Sequence, residues 1–229
     1  MPGRGFEGAA AAKDNDVRVK LTCKQSLGTS FGTDIATGDI LGPLLPDNGV
    51  IFPYTPMINA AYSTSYGSHQ PIHSNFVYRF FQNYSMQEIT CSADFTASTT
   101  AEARYMVAAL HFFKSAMRMG FGENDKNRGV PPPVLNFSGY GDGFFKNIPV
   151  VISNLNYALD TNTDYVFARM ENESGGMQSP GNPIVDGTFV PIKTTFILAL
   201  APAYNTYETR TQHTLENFVN GSLLRKGYG

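Results

Sequence analysis

Residues 17–24 alternate strictly, with Val17, Val19, Leu21 and Cys23 on one face and Arg18, Lys20, Thr22 and Lys24 on the other. A period of two with one apolar side predicts a half-buried strand. The same period returns from Glu88 to Thr96, where Ile89, Cys91, Ala93 and Phe95 oppose Glu88, Thr90, Ser92, Asp94 and Thr96. Asn147 to Leu159 carries Val151, Leu155, Tyr157 and Leu159 on one side. Thr188 to Ala201 reads as a last long strand, with Val190, Ile192, Phe196, Leu198 and Leu200 in phase. A shorter strand begins at Val134, ahead of the glycines of SGYGDG, which suit a tight turn. The aromatic stretch Asn75 to Tyr84 is expected to be extended.

Between these strands the period changes once. From Ala101 to Met119, Met106, Ala109, Leu110, Phe113, Ala116 and Met117 recur at steps of three and four, which predicts one long helix packing that stripe onto a sheet. Thr99 stands three residues ahead of Glu102, the spacing of a capping box. Gly120 is placed to end the helix in a left-handed C′ position, with Phe121 as its apolar contact.

The rest is aperiodic. Residues 1–16 read as a flexible N-terminal arm, and 17–205 as one domain. Residues 25–70, rich in Gly, Pro, Ser, Thr and Asn, form a long extended insertion expected to order against a neighbour. GENDKNRGVPPP and Glu171 to Gly187 read as loops, and Asp142 and Asp160 as turn residues. Residues 206–229 end in a short amphipathic piece, unstable alone and therefore a docking arm. The sum is a mainly β, α+β protein with one long helix. Few, long, one-sided strands leave sheet borders that need cover, and a ring of identical copies closing into a barrel would supply it.

Composition sharpens this picture. Charged residues make up 16% of the chain, against about 25% in ordinary globular domains. Asn, Ser, Thr, Gly and Tyr take their place, as suits an exterior covered by neighbours. A net charge of −2 lacks the basic excess of a nucleic-acid binder. There is no apolar run long enough to span a membrane, and MPGRGFEGAAAAKDND has no apolar core of signal-peptide length. Cys23 and Cys91 occupy inward strand positions, which predicts two buried thiols; nothing in the sequence argues for a disulfide.

Chemistry is sparse. His69 and His73 are four apart, but Pro71 between them breaks a helix and no carboxylate completes a metal set. His111 reads as a packing or surface residue, and Asp94 and Glu102 as groups at a strand-to-helix junction. SGYGDG lacks the lysine of a phosphate loop. These readings give no catalytic residue, no cofactor and no metal site.

In order along the chain stand HSNFVYRFF, QEITCSADFT, AEARYMVAALHFFKSAMRMGFG, PPPVLNFSGYG, NIPVVISNLNYAL and FVPIKTTFILALAPAY, with FVNGSLLRKGYG near the end. This series, over about residues 72–204, resembles the baseplate tail-tube junction proteins of contractile-tailed bacteriophages, the tail-tube initiator or cap family. The resemblance implies a tail-tube fold, a β-sandwich-like sheet flanked by one helix. It implies six copies in a ring whose strands close an inner barrel around a DNA channel. Such a ring sits in the virion baseplate, is assembled in the host cytoplasm, and lies between the hub and the first tube ring. Its partners would be copies of itself, tube subunits, the hub with neighbouring baseplate proteins, and the tape-measure protein. No sequence-specific nucleic-acid contact and no membrane is implied.

Carried onto this chain, 88–96 and 188–200 become barrel strands and 101–119 the outer helix. A channel for DNA should not hold phosphate, so Glu88, Thr90, Ser92, Asp94 and Thr96 are expected to line it. Arg18, Lys20 and Lys24 are then expected elsewhere, at an interface, together with Phe218, Leu223 and Leu224 of the tail. Other readings are a major tail-tube subunit, a non-catalytic β module binding carbohydrate or protein, and a hydrolase with an unrecognised site.

Overall fold

A computed structural model describes residues 17–123, 125–141, 143–159, 163–168 and 187–228. The expected flexible arm 1–16, all but Gly187 of the loop 171–187, and the turn residues Asp142 and Asp160 lie outside them. The elements are β1 (Lys20–Cys23), α1 (Leu27–Phe31), β2 (Gly49–Ile51), β3 (Met57–Asn59), β4 (Tyr62–His69), β5 (Tyr78–Met86), β6 (Ile89–Thr96) and α2 (Thr100–Ala116). They continue with β7 (Leu135–Gly139), β8 (Phe145–Ala158), β9 (Tyr165–Ala168), β10 (Thr188–Pro191), β11 (Lys193–Pro202), α3 (Thr206–Gln212) and α4 (Leu215–Val219). The chain is mainly β, and its sheets are antiparallel and not closed.

Seven strands make the main sheet, in the order β2–β1–β7–β8–β11–β6–β3. Its apolar side follows from the alternation: Leu21 and Cys23, Ile89 to Phe95, Leu135 and Phe137, Ile148 to Ile152, and Phe196 to Leu200 supply buried side chains on one face. Helix α2 covers that face, and its capping box is formed, with the Glu102 N–H donating to Thr99 Oγ1 and the Thr99 N–H donating to the Glu102 carboxylate. Phe113 meets Phe196 with ring centroids 6.0 Å apart, and Phe95 meets Phe196 at 5.0 Å.

Met106, Ala109 and Phe113 of the expected stripe are buried, and Leu110 and Met117 are half-buried against the core. The stripe is also too narrow: Ala103, Val107, Ala108 and Phe112 are buried as well. The cause is the segment expected to be an extended insertion. Residues 25–61 fold back onto their own chain, where Leu27 and Leu44 are fully buried and Phe31 meets Phe112 edge-on at 5.9 Å. Arg104 donates to the Thr37 carbonyl at 2.8 Å. The Tyr105 hydroxyl accepts from the Ile51 N–H and donates to the Ile51 carbonyl, both at 2.8 Å. That contact seals the β2 border of the sheet from within. Short polar loops gave no period to read, yet they carry the apolar residues that cover α2.

Two further expectations change. The last strand breaks at Ile192, whose N–H donates to the Asp164 carbonyl, so β10 pairs with β9 in a separate small sheet while β11 joins the main one. Alternation runs on through the break, which hid it. Helix α2 ends at Ala116 with Met117 as a right-handed cap, and Phe121 is exposed. Gly120 serves a different need, because a Cβ there would lie 1.9 Å from the Asn127 carbonyl oxygen. Its backbone is clasped between Val130 and Gly129. The reason is proximity, not handedness.

Cys23 and Cys91 are buried thiols. Burial pushes the Cys91 thiol up to about 12, and raises Cys23 despite an opposing hydrogen bond with Ser30. Since only the thiolate reacts, native protein at pH 8 should resist a thiol reagent, and urea-unfolded protein should take up two equivalents. Rapid labelling of either residue in the native state would contradict this placement.

Candidate functional site

Over β6, β11 and the latter part of β8, the side of the main sheet away from α2 is left exposed or half-exposed by the described residues. Register places its residues in rows: Met57, Ser92, Ile197 and Asn156 in one, Asn59, Thr90, Ala199 and Asn154 in the next. Asp94, Thr195 and Ala158 form a third, and Thr96 pairs with Lys193. A bulge at Ser153, whose hydroxyl donates to the Ala199 carbonyl, returns Ile152 to the buried face. Thr90, Ser92, Asp94 and Thr96 thus share the uncovered face, while Glu88 sits exposed just before β6.

This face is not acidic. Lys193 Nζ stands 2.9 Å from Asp94, and Thr195 donates to the same carboxyl. These two hydrogen bonds, Thr195 first, hold the Asp94 carboxyl below its ordinary range. Both ionic partners are about half exposed, so the pair adds at most about 1 kcal/mol. Its effect is on charge: the one acid within β6 is neutralised. The expectation that the basic residues would lie elsewhere also changes for Lys20. Lys20 pairs with Ser138 while Leu21 pairs with buried Phe137, which puts Lys20 on the same sheet side as Thr90 and Ser92. One continuous antiparallel sheet leaves a strand's polar residues no other side. Arg18 and Lys24 are exposed and flank β1 instead of lying in it.

The second surface was not legible as such. β4 and β5 pair only with each other, and every residue of the two strands except Ser63, Gly67 and Met86 is exposed. One face of this two-stranded arm carries Tyr62 and Tyr84, stacked with centroids 6.2 Å apart, then Tyr66 against Phe81 at 6.1 Å. The other carries Ser63 hydrogen-bonded to Ser85 at 3.0 Å, then Phe80 lying over Gly67, where a Cβ would come within 2.4 Å of the ring. Burial and the nearby Tyr62 hydroxyl raise the Tyr84 phenol. Arg79 is the only Asp, Glu, Lys or Arg between residues 62 and 86.

At the root of the arm lies an apolar cavity of about 640 Å³. Tyr62 and Tyr84 meet Phe144 and Phe145 there, facing Phe218 and Leu224 of the tail. The tail docks on its own chain. Leu223 is fully buried, so it belongs to the core of the subunit and not to an interface. Tyr228 stacks on Tyr204 at 5.4 Å, and Gly227 approaches the Asn147 carbonyl too closely for any Cβ. Phe218 remains half exposed and Leu224 lines the cavity.

No protein-family model matches this chain, and no curated protein matches it.

The remaining candidates resolve into local roles. Glu102 is occupied by the capping box, accepting from Ser98 and Thr99. His111 is exposed on α2; partial burial, then Lys114 and Arg118, lower its pKa. His69 closes β4, and His73 sits in the arm's tip with φ 61. Among the described residues no three His, Cys, Asp or Glu side chains cluster as a metal site. No described helix is long and apolar enough to cross a membrane.

Proposed function

We propose that this chain is a structural virion protein of a contractile phage tail. Six copies form a ring that joins the baseplate hub to the tail tube, templates polymerisation of the tube and leaves a central channel for DNA. The observation that carries assembly is the arm: beyond its root, a two-stranded hairpin with aromatic rings on both faces is left exposed by the described residues of its own chain. Isolated two-stranded hairpins are marginal in water, and exposed apolar patches of this kind mark interaction sites. Serial resemblance of the chain to the junction proteins supplies the rest of the reading.

The open sheet face suits the channel. Across β3, β6, β11 and β8 its rows hold Met, Ser, Thr, Asn, Ala and Ile, with Asp94 compensated by Lys193 and with Lys20 on the same side at β1. Such a wall offers phosphate few counter-charges, so DNA passes without being held. Copies would join at the β3–β6 border and through the arm. β3 covers only Thr90 to Ser92 of β6, and no described strand pairs with Ala93 to Thr96 on that border.

Electron microscopy of the purified chain, alone and mixed with tube subunits, tests this. The expected result is six-fold rings from which tubes grow. A particle that stays monomeric, ignores tail components and binds glycans through its exposed tyrosines would replace this reading with that of a binding module.

A further inference from the structure

We propose that the tip of the arm, residues 70–77, seats in the apolar cavity of a neighbouring copy of this chain. The inference rests on the ring reading for its biological setting, but its chemistry is that of two surfaces already described. The tip reads Gln-Pro-Ile-His-Ser-Asn-Phe-Val, with no Asp, Glu, Lys or Arg. Ile72 is 88% exposed and Phe76 73%. Their presentation is preset. The Ser74 N–H donates to the Pro71 carbonyl at 3.3 Å, and the Ser74 hydroxyl bonds both the N–H and the carbonyl of Phe76 at 3.1 Å. A preformed apolar knob loses little freedom on docking.

The receiving surface has matching character. Its walls are rings and aliphatic groups from the root of the arm, from Phe144 and Phe145, and from Leu215, Phe218 and Leu224 of the tail, with the His213 imidazole as a polar member. Phe144 is 68% exposed, so the rim is open to an incoming side chain. A volume of about 640 Å³ lies in the range of cavities that enclose compact apolar ligands. The tip cannot reach the cavity of its own chain. Tyr62 and Tyr84 stand at the root, and the paired strands carry the tip roughly 25 Å away at about 3.3 Å per residue. A tip that fills this cavity therefore comes from a second molecule. Knob and socket are different patches, so the contact is head-to-tail, the kind that closes rings or propagates along an axis.

The test uses the full chain carrying Phe76→Cys, labelled with a thiol-reactive benzophenone; Cys23 and Cys91 are buried and spared. Photolysis is expected to join two copies, with the adducts mapping by mass spectrometry to Phe144, Leu215 or Phe218. Phe144→Asp, at an exposed site, is expected to abolish that adduct while leaving the thermal unfolding midpoint unchanged. Phe76→Asp should weaken self-association roughly thirtyfold, the loss of one buried aromatic anchor. Rings that form without adducts in the cavity overturn this docking and leave the ring reading intact. Cavity adducts in a particle that is only a dimer support the docking and overturn the ring. A chain that neither cross-links nor self-associates overturns both.

Discussion

Replacing Phe196 by alanine is expected to cost the fold about 3–5 kcal/mol, the range found for deleting a buried ring. Phe196 is 1% exposed, and its ring touches Phe95, Phe113 and Tyr157 at centroid distances of 5.0, 6.0 and 6.0 Å. Its strand is held on both sides, by β6 and by β8, so the backbone cannot sink to fill the space. Against a typical total of about 5–15 kcal/mol, that loss approaches global unfolding. Urea titration measures it, with Ile197→Thr as the control. Ile197 is the next residue, on the open face and 41% exposed, and its replacement should cost under about 1 kcal/mol. Equal costs at the two positions would mean that the buried face has been misassigned.

Tyr105→Phe is expected to cost about 1–3 kcal/mol, although it removes a single oxygen. That oxygen satisfies both backbone groups of Ile51 on the outer side of β2. Without it a donor and an acceptor on a largely buried border lose their partner. Two readouts separate this from a general loosening. The Ile51 amide should exchange faster with deuterium while the amides of β11 keep their order of protection. The wild-type protein should also lose stability in alkali where the variant does not. Burial raises the Tyr105 phenol, so the neutral form is the one the fold favours. Its contribution is complete below the ordinary phenol value near 10 and fades as the pH climbs through the higher folded value. A variant with unchanged Ile51 exchange would show that the hydroxyl does not guard that border.

Reading the chain alone recovers the parts whose two sides differ. β1 and β6 alternate because one face meets α2 and the other does not, and α2 announces itself through Thr99, Glu102 and its stripe. In β8 the expected phase from Val151 to Leu159 was wrong, because Ile148, Val150 and Ile152 are the buried residues, a bulge follows Ile152 and Leu159 is exposed. The arm had no such signal. Neither side of β4 is buried by the described residues, and Tyr, Ser, Thr and Gly follow one another without an apolar sense. Only the run of rings at its far end marked it as extended. Segment 25–61 failed for another reason: Leu27, Leu44 and Phe52 stand singly or in apolar runs of two or three, too short to show a period, and their burial depends on contacts far along the chain. The pairing of Asp94 on the open face was hidden likewise, since Lys193 and Asp94 lie 99 residues apart and meet only through the β11–β6 register. The cavity of the candidate assembly site combines four separate stretches, and periodicity within any one of them does not report on the others.

β3 and β6 are neighbours in the main sheet, and β4 and β5 follow directly between them, with the Gln87 N–H bonded to the Ala61 carbonyl at the crossing. From Met57 to Ser92 the backbone is thus one long ribbon, half of it embedded and half cantilevered. A pull on the free end is delivered to β6, which lies beside β11 along eight paired residues and must be sheared, not peeled, to yield. Load on the protrusion is therefore taken up by the centre of the sheet and not by a frayed border.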